Sequence, residues 1–340
     1  MSLPEARGWM PILARYLEPS PIRGLLELVV TALPLIALWA LAWFAFHNGY
    51  WWCSLMLAVP AAGFMVRLFI IQHDCGHGAF FRNKIANDWV GRAIGVLTMT
   101  PYDHWRRSHA IHHSTSGNLD RRGVGDIDTL TVREYNALSP LGRLRYRVYR
   151  HPVVLFGVGP AYMFLLQHRL PVGFMSRGWT PWISTQATNA AIAAMAAILI
   201  WLIGAPAFFL VHLPIMVMAA SLGVWLFYVQ HQFDGAHWRQ GEGWNMPEAA
   251  LYGSSYYDLP WGLSWLTGNI GVHHVHHLCS RIPFYRLPRV LRDHPALGKI
   301  GRVTLWQSFG CVRLSLWDED QQRLVSFREA RAALRQQPAE

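Results

Sequence analysis

Two long stretches without lysine or arginine restrict this chain more than any other feature: none lies between Arg23 and Arg67, and none between Arg177 and Arg239. A helix needs about 20 apolar residues to cross the hydrocarbon core of a bilayer, so each stretch has room for two crossings. Four segments fit, at residues 25–46, 50–71, 182–203 and 207–229. HNGY after the first and GAP after the third leave room only for a tight turn between antiparallel helices, which gives two hairpins. A composition that is 52% hydrophobic and 15% charged over 340 residues departs in the same direction from a soluble domain.

The basic residues gather in the N-terminal arm, after the second span and after the fourth, and neither hairpin turn carries one. The positive-inside rule therefore puts residues 72–181, residues 230–340 and both termini in the cytoplasm. That grouping accounts for the net charge of +10, and no nucleic-acid recognition motif accompanies it, so no nucleic-acid partner is expected. Arg67, near the cytoplasmic end of the second span, is expected to snorkel toward the headgroups. Residues 87–102 and 152–170 are apolar but interrupted by charge, which suits helices lying in the interface, and residues 318–337 read as a solvated amphipathic helix. Cys53, Cys75, Cys279 and Cys311 form no C-x-x-C pair, which argues against a disulfide framework or zinc knuckle. The first 24 residues lack the apolar core and small-residue site of a cleaved signal peptide. The expected fold is an all-α integral membrane protein of one domain over residues 1–340, with four transmembrane helices in two hairpins and a cytoplasmic helical cap.

Seventeen of the 340 residues are histidine, so H-x-x-H-H should arise by chance at roughly one starting position in 8,000. The chain has two, HAIHH (His109, His112, His113) and HHVHH (His273, His276, His277), and HDCGH adds His73 and His77. Residues i, i+3 and i+4 share a helix face, while adjacent residues diverge by about 100°. Two metal ions, each taking one member of the pairs His112/His113 and His276/His277, satisfy that geometry. Eight imidazoles without cysteine exceed a zinc centre and suit iron, copper or zinc rather than an iron–sulfur cluster. His231, just beyond the fourth span, offers a ninth ligand. His274 falls on the wrong face and reads as a residue behind the ligands or at the surface. His47, His151, His168, His212 and His294 read as ordinary surface or hydrogen-bonded histidines, with His104 and His237 balanced between the two roles.

These residues resemble the membrane fatty acid desaturase family, whose boxes run H-x-x-x-H, H-x-x-H-H and H-x-x-H-H in this order. The text HWRRSHAIHHSTSGNLDRRGVGDIDTLTVREY and GNIGVHHVHHLCSRIPFYRL is most similar to bacterial and cyanobacterial acyl-lipid desaturases of the delta-12 or omega-6 type. The resemblance implies that His73, His77, His109, His112, His113, His273, His276 and His277 bind two non-haem irons, and that His231 matches an additional fourth-span histidine. It implies O2 as co-substrate, removal of two vicinal hydrogens from an acyl lipid or acyl thioester, and a bacterial inner membrane. Zinc has no redox chemistry, which agrees with iron. With no HPGG haem-binding segment, a separate donor such as ferredoxin is expected, steered by the basic face. Asp74, Asp120 and Asp126 are candidates to hold ligand histidines by their outer ring nitrogen. Trp105, Trp261 and Trp265 are candidate walls of an acyl tunnel.

Two other readings share parts of this pattern. A membrane diiron hydroxylase or carotenoid ketolase would use the same metal logic and return oxygen to its substrate, although alkane hydroxylases carry glutamates beside the histidines that HDCGH and HAIHH lack. A metal transporter would place its histidines along a path inside the spans, whereas here they lie outside them.

Overall fold

The computed structural model describes residues 5–336. Helix α1, Pro21–His47, starts where the Ser20 hydroxyl accepts from the Arg23 amide and Pro21 presets the first turn. Gly49, at φ +82°, turns the chain into α2, Trp51–Gly76, which packs back along α1. Helices α3, Lys84–Leu97, and α4, Tyr102–Thr115, follow, before α5, Trp179–Ile203, and α6, Ala205–His231, form the second hairpin about Gly204. Helices α1, α2, α5 and α6 are long and apolar enough to cross a membrane, and side chains such as Leu33, Ile36, Trp201 and Leu202 stand outward where lipid would cover them. The protein is an integral membrane protein whose four spanning helices support a mostly helical cap.

Both α2 and α6 continue without a break past their apolar stretches, to Gly76 and His231. The end of α2 is closed by the amides of Gly78 and Ala79, which donate to the carbonyls of Cys75 (3.0 Å) and Asp74 (2.9 Å). His73 and His231 thus ride on rigid extensions of membrane helices. Helix α3 lies against α2 with Asn87, Gly91 and Ile94 turned inward and Ile85 and Trp89 outward. Residues 152–170 contain a π-helical turn, Val154–Val158, running into the helix Gly159–Leu165, with Val153, Val158 and Tyr162 outward.

Two expectations need correction. Residues 318–337 are not one helix: strands β3, Leu316–Asp318, and β4, Arg323–Val325, form an antiparallel hairpin, and only Phe327–Gln336 is helical. The Asp318 carboxylate accepts from the amides of Asp320 and Gln321 and so favours the turn, while Leu316 and Val325 are fully buried. Residue 337 lies outside the described residues. A second small sheet pairs β1, Tyr256–Asp258, with β2, Arg302–Thr304, in parallel. Arg67 does not snorkel: it is 1% exposed and ion-paired with Glu27 of α1, itself 2% exposed. The cost of a lone charge at that depth explains the choice, since a partner lay within reach across the hairpin.

Candidate metal centre

Each histidine cluster is held in place by buried polar contacts of its neighbours. Gln72 of α2 accepts from the Thr98 hydroxyl (2.6 Å) and fixes the turn leading into α4. The Tyr102 hydroxyl donates to the Cys75 carbonyl (2.9 Å), and its ring covers Gly91, where any side chain would collide. Gln230, beside His231, donates to the Ile270 carbonyl (3.1 Å), and the Gln230 carbonyl accepts from the Ser255 amide (2.9 Å). Those contacts lead into α7, His273–Leu278, in which every residue is buried.

The nine predicted histidines converge into two groups. His73, His77, His109, His113 and His276 form the first; His112, His231, His273 and His277 form the second; within each, one ring nitrogen per residue lies within 4.8 Å of the others. Each adjacent pair is split, one member to each group. The second group is wholly buried, whereas His77, His109 and His113 leave the first half open.

Whether a cation suits these positions can be judged from the ring nitrogens. A neutral imidazole nitrogen carries either one hydrogen or one lone pair, so it can satisfy one in-line neighbour. Nε2 of His273 faces Nε2 of both His231 (3.0 Å) and His277 (3.1 Å), and Nε2 of His113 faces those of His109 (3.0 Å) and His276 (3.2 Å). Nε2 of His73 and His77 are buried with no hydrogen-bond partner. Hydrogen bonds cannot satisfy such an arrangement, and a shared cation can. Imidazole nitrogens bind first-row ions at about 2.1 Å, which separates ligands at right angles by about 3.0 Å, close to the spacing found. Burial, reinforced by the neighbouring rings, holds His77, His109, His113, His273, His276 and His277 well below the ordinary histidine pKa. Their lone pairs are therefore free at neutral pH.

The outer nitrogens are served unevenly. Nδ1 of His112 is hydrogen-bonded to the Asp126 carboxylate, which also accepts from the Gly123 amide. Gly125, at φ +74°, permits that loop: a Cβ there would lie 3.1 Å from the Ser108 carbonyl. Asp74 accepts from the Phe284 amide (2.7 Å) and stands 3.3 Å from Nδ1 of His73. Asp120 is a correction: it is exposed, accepts from the Gly241 amide (2.7 Å), and no hydrogen bond joins it to a clustered histidine.

Among the tryptophans, Trp105 stacks on His109 with ring centroids 4.6 Å apart and flanks the first group. Trp261 is 85% exposed, at the outer tip of its short helix, and walls no interior space. Trp265 lies under the Arg67 guanidinium, 4.1 Å from its ring centre, away from the histidines. His274 is buried, not at the surface; its Nε2 donates to the Leu297 carbonyl (3.0 Å) and ties α7 to the turn behind it. His104 and His237 join neither group, the first donating to the Val172 carbonyl. Phe227, whose ring packs against His112 and His231, gives no signal in the sequence, where it is one phenylalanine in an apolar span.

Comparison with known proteins agrees with this geometry. The sequence pattern of the fatty acid desaturase family matches residues 49–309. The chain is 44% identical to a fatty acid desaturase of Bacillus subtilis, over 93% of this chain and 89% of that protein. It is 28% identical to the sn-1 acyl-lipid omega-3 desaturase (ferredoxin) of Synechocystis sp., over 91% and 85%. It is also 28% identical to the sn-1 oleoyl-lipid 12-desaturase of the same organism, over 70% and 67%.

Proposed function

The chain belongs to the fatty acid desaturase family, and from that premise we propose that it desaturates acyl lipids at a diiron centre held by His73, His77, His109, His113 and His276 on one side and His112, His231, His273 and His277 on the other. The observation that carries the reading is the division of nine histidines into five and four, with both adjacent pairs split between the groups. When bound, two irons with O2 supply the oxidising power to remove two vicinal hydrogens from an unactivated chain, two donor electrons completing the reduction of O2 to water.

The protein's own residues set where that chemistry falls. The half-open edges of His77, His109 and His113 make the first group the approachable one, and Trp105 lines its flank, so the acyl chain lies along that side. Asp126 keeps the His112 ring oriented with its Nε2 inward. The second group is buried, and the Phe227 ring packs against His112 and His231.

Relatives named as ferredoxin-dependent acyl-lipid desaturases support a lipid-borne substrate and a ferredoxin-type donor. Relatives named as oleoyl-lipid 12-desaturases support insertion at the 12-position. The basic flanks of the spans support a bacterial inner membrane with the histidines and both termini cytoplasmic, the whole chain acting as one membrane domain. Expression in a host rich in oleoyl lipids, followed by gas chromatography and mass spectrometry of the methyl esters, tests the reading. A 9,12-diene is the expected product. Another double-bond position would revise the site of insertion, a hydroxylated chain would move the protein to the oxygenase reading, and no product despite iron and a working reductant would sink both.

A further inference from the structure

Arg67 and Glu27 are the most deeply buried ion pair among the described residues, and Arg67 does more than pair. Its guanidinium also donates to the Thr31 hydroxyl (3.1 Å) and to the Trp265 carbonyl, and it lies over the Trp265 and Phe284 rings at 4.1 and 5.3 Å. Trp265 precedes α7 and Phe284 follows it. Two turns further along α2, the Asp74 carboxylate accepts from the Phe284 amide at 2.7 Å. Close approach of small residues supports the same seam: a Cβ on Gly63 would sit 2.5 Å from Leu266, and one on Gly268 would sit 2.7 Å from Ile70.

From these contacts we infer that α2 grips the segment carrying His273, His276 and His277 at two points, Arg67 upstream and Asp74 downstream, and that Arg67 is a positioning residue for the metal centre. The inference rests on the nine-histidine reading and adds an asymmetry to it. α7 supplies two of the four residues of the second group, His273 and His277, but only His276 of the five in the first. Loosening the upstream grip therefore empties the second group while the first keeps four of its ligands.

A helix-packing role for the pair would leave metal binding untouched, which makes the two separable. Replacing a buried ion pair by apolar residues of similar volume commonly leaves stability unchanged or improved. The double variant Arg67→Met/Glu27→Leu should thus keep α1 on α2 while releasing the Trp265 carbonyl. Purified wild type and variant are loaded anaerobically with ferrous iron, bound iron is counted by elemental analysis after gel filtration, and thermal unfolding is followed in parallel. The expected result is two irons in the wild type and about one in the double variant, with the melting temperatures of the two iron-free proteins unchanged and the absorption of the remaining iron altered. Two irons with a wild-type spectrum in the variant would overturn the positioning role. Arg67→Lys, which keeps the charge opposite Glu27 but loses the guanidinium fork, should also bind about one iron. If the double variant misfolds, Arg67→Lys decides alone: two irons in it reject the proposal. A wild type that takes up fewer than two irons would instead defeat the underlying reading of the centre.

Discussion

His231 is the one member of the nine that no other clustered histidine accompanies in sequence, and its Nε2 stands 3.2 Å from that of His112 and 3.0 Å from that of His273. Its loss should be felt by the second group alone. His231→Ala is expected to retain about one iron and to lose desaturation by at least about a hundredfold, more than the 10–100-fold typical of an outer partner such as Asp126. Elemental analysis and ester profiles of the same preparation check this, and normal turnover with two irons would remove His231 from the site. Protonation gives a second test. The six cap histidines have depressed pKa values when folded, so the unfolded chain binds their protons first as pH drops below the free imidazole value of about 6.5. Stability of the iron-free protein is therefore full above that pH and falls below it. Melting curves from pH 7.5 to 5 should show the loss, and a flat profile would contradict the burial. The clustering of the histidines was legible because spacing puts His109, His112 and His113 on one turn. The Glu27–Arg67 pair was not, since nothing local in either sequence neighbourhood announces a partner on the other helix.

At the scale of elements, the two spans with histidines at their ends act as fixed posts, while α4, α7 and the loop after α4 are brought to them. Gly125 is where that loop is most tightly drawn, with its left-handed backbone and the Ser108 carbonyl 3.1 Å from where a Cβ would be. Gly125→Ala should cost about 1–3 kcal/mol locally and lift Asp126 from His112. Its signature is faster loss of one iron to a chelator with little change in the other; equal loss of both would mean a general loosening. The hairpins could be anticipated from HNGY and GAP because so short a turn admits one arrangement. The β3–β4 hairpin could not, because the charged text around Asp318 fits an amphipathic helix and only the buried partners of Leu316 and Val325 decide against it. Trp261 illustrates the same limit: an aromatic suits a tunnel wall or a membrane interface equally well, and its 85% exposure rules out the wall.

Across the whole molecule the asymmetry of charge and the position of the histidines are one fact seen twice. Pro21, Gly76 and His231 mark the end of the helical frame beside the two histidine groups, and the turns at Asn48 and Gly204 mark the other end. In the proposed function a soluble electron donor would meet the histidines from the first side, so orientation bears directly on function. Cysteine labelling in intact cells measures it. Cys53 is replaced by serine to clear the outer end, and Asn48→Cys and Arg121→Cys are made separately at positions exposed in the structure. A membrane-impermeant maleimide should label Asn48→Cys in intact cells and Arg121→Cys only after the membrane is opened, because the basic flanks favour retention on the cytoplasmic side. The reverse pattern would put the histidines on the outer face, out of reach of a soluble cytoplasmic donor, and the electron source would then have to be sought within the membrane.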